Sequence, residues 1–137
     1  MSSPVMARIF IVDDDRDFLE LQERILSSQG YRVASFADPD AALAALRAAD
    51  PADLPGLVVT DLMMSALDSG FSLARAMKTE PRLARIPVII VSAVASQKGF
   101  DFRPRTAADL AAMNADAFFD KPVSPQAFLA RVKELLG

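Results

Sequence analysis

The chain has 137 residues, 52% of them hydrophobic, enough apolar material for the core of one domain of ordinary size. Its 15 lysines and arginines against 18 aspartates and glutamates give a net charge of -3, so the surface exerts no long-range pull on nucleic acid and direct DNA binding is not expected. Cysteine and histidine are both absent, which excludes disulfides, thiolate or imidazole metal ligands and any histidine base or triad; a metal site here must be built from oxygen ligands.

No apolar run reaches the roughly 20 residues that span a bilayer, and residues 1–5 lack the apolar core of a secretion signal. A cytoplasmic protein with no membrane partner is expected.

In chain order, Arg8 to Val12 is an apolar strand that runs into Asp13-Asp14-Asp15. Arg16 to Gln29 carries Phe18, Leu21, Ile25 and Leu26 at helical spacing, with Gly30 placed to stop the helix. Tyr31 to Phe36 reads as a second strand, and Asp38-Pro39 provides an N-cap and first-turn proline for an alanine-rich helix to about Ala49. A turn-rich connector, Asp50 to Gly56, leads into Leu57-Val58-Val59-Thr60-Asp61. This uninterrupted apolar run fits a strand covered on both faces, as parallel sheets require, and it delivers a carboxylate at its end.

After the loop Ser65 to Gly70, a helix carries Leu73, Ala74 and Met77 and should break near Pro81. Pro87 introduces a fourth apolar strand, Val88 to Val91, ending at Ser92. Residues 93–105 are the least regular in the sequence and read mostly as loop, followed by a short helix over 106–113. Ala117-Phe118-Phe119 is a brief strand ending at Asp120-Lys121-Pro122, and Ser124-Pro125 opens a last helix with Phe128, Leu129, Val132, Leu135 and Leu136 as its apolar stripe. With no linker or repeat, residues 1–137 read as one domain with its core over about 8–136.

Five strand-helix units with right-handed crossovers make a doubly wound parallel sheet with helices on both faces. Periodicity does not give the strand order. If it is 2-1-3-4-5, the carboxyl ends of strands 1, 3, 4 and 5 meet in one cleft, the usual ligand position in open sheets. That cleft would hold Asp13, Asp14, Asp61, Ser92 and Lys121. Three carboxylates so close stay ionised only beside positive charge, which a hard divalent cation and a lysine would supply. Mg2+ suits this inventory because it binds through one or two carboxylates together with phosphate oxygens.

These residues resemble the receiver (response regulator) family of two-component signalling, from about Arg8 to Leu136. The family pattern places an acidic pair after strand 1 (Asp13-Asp14), a phosphoacceptor aspartate after strand 3 (Asp61), a hydroxyl after strand 4 (Ser92) and Lys-Pro after strand 5 (Lys121-Pro122). The resemblance implies a flavodoxin-like three-layer α/β fold with strand order 2-1-3-4-5 and a cis bond before Pro122. It implies that Asp61 takes a phosphoryl group from a phosphohistidine on a sensor histidine kinase or a histidine phosphotransfer protein. It further implies Mg2+, with Mn2+ as the alternative, held by Asp13, Asp14, Asp61 and the Met63 backbone carbonyl. Lys121 and Ser92 would contact the phosphoryl group, and Phe118 would be the switch aromatic of a signalling face made by the 106–113 helix, strand 5 and the last helix. A protein effector would read that face, and homodimerisation through it is left open. The chain would be a signalling phosphoacceptor catalysing its own phosphorylation and slow dephosphorylation, not an enzyme acting on other substrates.

Several features depart from the family pattern. Ser65 stands where the family has proline, Asp68-Ser69-Gly70 is one residue longer than the usual Asp-Gly, and the stretch from Ser92 to Lys121 is longer than expected, with Phe100 and Phe102 in the excess. Met63 and Val94 occupy positions that in the family help place the hydrolytic water, and neither can orient water by hydrogen bonding. Each candidate also has a plain structural reading: Asp13 to Asp15 as helix-capping acids, Ser92 as a hydroxyl bonded to backbone, Lys121 as a solvated turn lysine, Phe118 as packing. Two other classes share parts of this inventory. A phosphatase of the haloacid dehalogenase type would need a second aspartate where Met63 stands, and a flavodoxin-like nucleotide carrier would need a glycine-rich phosphate loop after strand 1.

Overall fold

Alternation along the strands divides the interior into two cores, one on each face of a five-stranded sheet. Phe10, Val12, Val58, Val88 and Ile90 face one side. Ile9, Ile11, Leu57, Val59, Ile89 and Val91 face the other. Both sets are buried, as parallel strands flanked by helices must be. The computed structural model describes residues 7–61, 69–92, 108, 114–121 and 123–136, with backbone alone at 69–72 and 92.

The strands are β1 (Arg8–Val12), β2 (Arg32–Phe36), β3 (Leu57–Asp61), β4 (Val88–Ser92) and β5 (Ala117–Asp120). All pairings are parallel, in the order β2-β1-β3-β4-β5. This is the flavodoxin-like order that the sequence resemblance implied. Helix α1 (Arg16–Ser28) and helix α4 (Pro125–Leu136) cover one face through Leu19, Leu26, Phe128 and Val132. Helices α2 (Pro39–Ala48) and α3 (Ser69–Thr79) cover the other through Ala42, Leu46, Leu73, Ala74 and Met77.

The helix ends follow local chemistry. Asp15 caps α1 by accepting from the Asp17 and Phe18 N–H groups, and Asp38 caps α2 by accepting from Ala41 N–H. At the far end of α1, Gly30 takes φ 92°, its N–H donates to Ser27 and the Tyr31 N–H donates to Leu26, a glycine stop that satisfies two terminal carbonyls. Tyr31 is consumed by that stop, so β2 starts one residue later than the apolar pattern suggests. Helix α3 in turn begins earlier and takes in Ser69 and Gly70, which the sequence places in the preceding loop. Glycine costs little in a first helical turn, whose N–H groups have no partner within the helix. The connector before β3 contains a single 3-10 turn, Pro51–Asp53.

Ala108 is helical, in keeping with the expected helix over 106–113; the rest of that helix, the 93–105 segment with Phe100 and Phe102, and the loop from 62 to 68 lie outside the described residues. Among the described residues, no helix is long and apolar enough to cross a membrane.

Candidate phosphoacceptor site

Register carries four of the sequence candidates to the same end of the sheet. Val12 pairs with Thr60, so Asp13 emerges beside Asp61 at the carboxyl ends of the two central strands. Ser92 ends β4 opposite Asp120, which puts Lys121 one residue beyond the sheet at the same level. The Asp13 N–H extends the ladder by donating to Phe36 C=O at 3.0 Å, which fixes its backbone. The Asp15 N–H then donates to Asp13 Oδ1 at 2.9 Å. Of the three acids after β1, Asp15 therefore caps α1, Asp13 turns inward, and Asp14 remains exposed at the rim.

Asp13, Asp14 and Asp61 each offer one carboxylate oxygen to a group lying within 4.8 Å. Lys121 Nζ lies 2.7 Å from Asp13 Oδ2 and 3.8 Å from Asp61 Oδ2. Among the described residues, three carboxylates and one ammonium carry a formal excess of two negative charges. Asp13 is fully buried, and the side chains of Asp61 and Lys121 are only 11% and 17% exposed. Burial pushes the Asp13 carboxyl above the ordinary carboxylate range, and the neighbouring Asp14 charge pushes the same way; the Lys121 ammonium and the Asp15 N–H pull it down and are outweighed. Among the described residues, the cluster is thus short of positive charge. An all-oxygen donor set with two excess negative charges fits a hard divalent cation such as Mg2+.

A further group at this site is Phe18, which the sequence reading treats only as part of the α1 apolar stripe. Its ring lies under Lys121 Nζ, 4.3 Å from the centroid. Position offered a signal: Phe18 is the first apolar residue after the acidic cluster, in the helical turn that faces the site. Phe118 is half-buried against the α2/α3 core.

The sequence matches the response regulator receiver domain over residues 9–133. This chain belongs to the receiver family.

The receiver is 34% identical to the transcriptional regulatory protein GltR of Pseudomonas aeruginosa, over 93% of this chain and 48% of that protein. It is 33% identical to the response regulator PleD of Caulobacter vibrioides, over 94% of this chain and 26% of that protein. The chain thus spans about half or less of these relatives. Among solved structures, a CheY-like receiver domain protein from Methanospirillum hungatei is similar at 28% identity with a TM-score of 0.74, covering 96% of this chain and 94% of that one. Receiver domains of response regulators interact with histidine kinases and effector domains, and this chain is such a signalling receiver domain. The acidic cluster at Asp13, Asp14 and Asp61 fits the phosphorylation site of such a domain. Met63, Val94 and Pro122 lie outside the described residues, and Ser92 is described by its backbone alone.

Proposed function

We propose that the receiver accepts a phosphoryl group on Asp61 from a phosphohistidine of a histidine kinase or phosphotransfer protein, in a Mg2+-dependent reaction. What supports the reading is the convergence of Asp13, Asp14 and Asp61 within 4.8 Å, with Lys121 beside them. An Asp61 carboxylate oxygen attacks phosphorus in line with the P–N bond; that bond breaks, its electron pair leaves with the imidazole, and an acyl phosphate remains on Asp61. Little covalent assistance is needed beyond positioning and charge neutralisation.

Asp13, Asp14, Asp61 and the Met63 backbone carbonyl would hold Mg2+, with Mn2+ as an alternative. When bound, the cation supplies the positive charge that offsets both the carboxylates and the transferring oxygens. Lys121 Nζ exchanges its contact with Asp13 for a phosphoryl oxygen. Ser92 then hydrogen-bonds the phosphate, Phe118 turns inward, and the face formed by the 106–113 helix, β5 and α4 changes its population for an effector protein to read. The domain works in the cytoplasm.

Incubation with a small-molecule phosphodonor and Mg2+, with the adduct located by mass spectrometry, tests this directly. A label on Asp61 that disappears in Asp61→Asn is expected; an unchanged label in that variant would overturn the assignment. Because Met63 and Val94 cannot orient a hydrolytic water, the acyl phosphate should persist well beyond seconds, and Met63→Asn or Val94→Glu should change its lifetime. Loss of the native label within seconds would contradict the roles given to those two positions.

A further inference from the structure

We infer that Phe18 is a positioning residue for phosphoryl transfer, holding the Lys121 ammonium over its ring face as that ammonium moves between Asp13 and the phosphoryl group. The inference rests on the function proposed above and adds to it a residue outside the acid, hydroxyl and lysine set.

Among the described residues, Lys121 Nζ has three partners of different reach. Its contact with Asp13 is a short charge-assisted hydrogen bond of 2.7 Å, its distance to Asp61 Oδ2 is 3.8 Å, and the Phe18 centroid lies at 4.3 Å. A hydrogen bond is lost when the ammonium moves by about an ångström, because it weakens steeply with distance and angle. Attraction to a ring face extends to about 6 Å from the centroid and tolerates such a shift. Asp13 alone would trap the ammonium away from the phosphoryl group. The ring keeps it at the site in both positions.

The ring is itself held in place. Phe18 N–H donates to the Asp15 cap at 3.2 Å, and the Asp15 N–H donates to Asp13 Oδ1, so the acid that Lys121 leaves and the ring that guides it belong to one short rigid segment. The lysine side chain is 17% exposed, so water competes weakly with the ring for its charge. Phe18 also packs against the α1/α4 core, and a packing role alone has to be separated from an electrostatic one.

Fluorination separates them, since it drains the ring face of negative potential and nearly preserves shape. With mono-, di- and trifluorophenylalanine at position 18, the rate constant for labelling by acetyl phosphate in Mg2+ should fall in graded steps, to about three- to tenfold below the native value for the trifluoro ring. In the native protein, the Lys121 ε-methylene protons should show an upfield ring-current shift that Phe18→Leu abolishes. Equal rates across the fluorine series, or an ε-methylene shift unchanged in Phe18→Leu, would overturn the inference while leaving the phosphoacceptor role of Asp61 intact. Native protein that takes no label on Asp61 would instead remove the function on which it rests.

Discussion

The two ends of the sheet treat polar chemistry in opposite ways. At the amino-terminal ends of the strands, Asp116 accepts the Val88 N–H at 2.8 Å through its side chain, its own N–H donates to Val88 C=O, and its carbonyl accepts from Arg131. Lys78 donates there to the Ala84 and Ile86 carbonyls and approaches Asp116 Oδ2 at 3.8 Å. Nearby, Gly56 lets β3 begin against Leu136, whose Cδ2 would lie 2.8 Å from any Cβ added at that position. These groups close the fold through hydrogen bonds to the backbone. At the carboxyl-terminal ends, the same fold buries Asp13 at a cost and gathers two more carboxylates around it with one lysine. One end ties its polar groups to the backbone; the other gives up some stability for a place where charge can arrive.

Removing the lysine should sharpen that contrast most. Lys121→Ala takes away the only charge-compensating side chain described for the acid cluster, and the rate constant for Asp61 labelling should drop by about 100-fold, the usual effect of losing one preorganised electrostatic group. A rate within a few-fold of native would mean that the carboxyl end does not depend on its built-in cation.

Metal should act next. If the acid cluster binds Mg2+ only when folded, Mg2+ at tenfold its Kd should raise unfolding free energy by about 1.4 kcal/mol in chemical denaturation. Asp13→Asn should weaken that response and, without metal, make the protein more stable than native. The sign follows from the raised Asp13 value. Between the unfolded and folded titrations, the folded state binds more protons, so stability falls as pH rises through that window and the penalty is complete above it. Metal-free stability of the native protein should therefore improve relative to Asp13→Asn as pH is lowered toward the carboxylate range. A variant less stable than native at neutral pH without metal would break the comparison.

The smallest effect belongs to the closed end. Asp116→Ala removes the acceptor of the Val88 N–H and should cost about 1 kcal/mol of stability. Labelling of Asp61 in the folded variant should keep the native rate. A large loss of labelling at full folding would show that the two ends are not separate in function.

Much of this architecture was legible in the sequence because it depends on local pattern. Apolar runs of strand length marked β1, β3 and β4, and Asp38-Pro39 and Ser124-Pro125 marked the starts of α2 and α4. The positions of Asp13, Asp61 and Lys121 followed once each was seen to end a strand and the family order was supplied by resemblance. What pattern could not supply was anything set by contacts across the fold. Local pattern alone does not tell the three adjacent acids apart, yet Asp15 caps a helix, Asp13 is a buried partner of Lys121 and Asp14 stands exposed at the rim, because the turn out of β1 points them in different directions. Phe18 looked like one more apolar residue of α1, since its neighbour Lys121 is over a hundred positions away in the chain. Asp116 gave no signal either, as its partners lie on β4, α3 and α4.

On the proposed function, the carboxyl end of the sheet forms a metal-assisted phosphoryl centre on Asp61. Binding of beryllofluoride, a phosphoryl mimic, followed by fluorine NMR, tests it without kinetics or a partner protein. A bound resonance that requires Mg2+, vanishes on chelation and fails to form in Asp61→Asn is the expected result. A bound resonance that survives either chelation or Asp61→Asn, or none at saturating Mg2+, would contradict it.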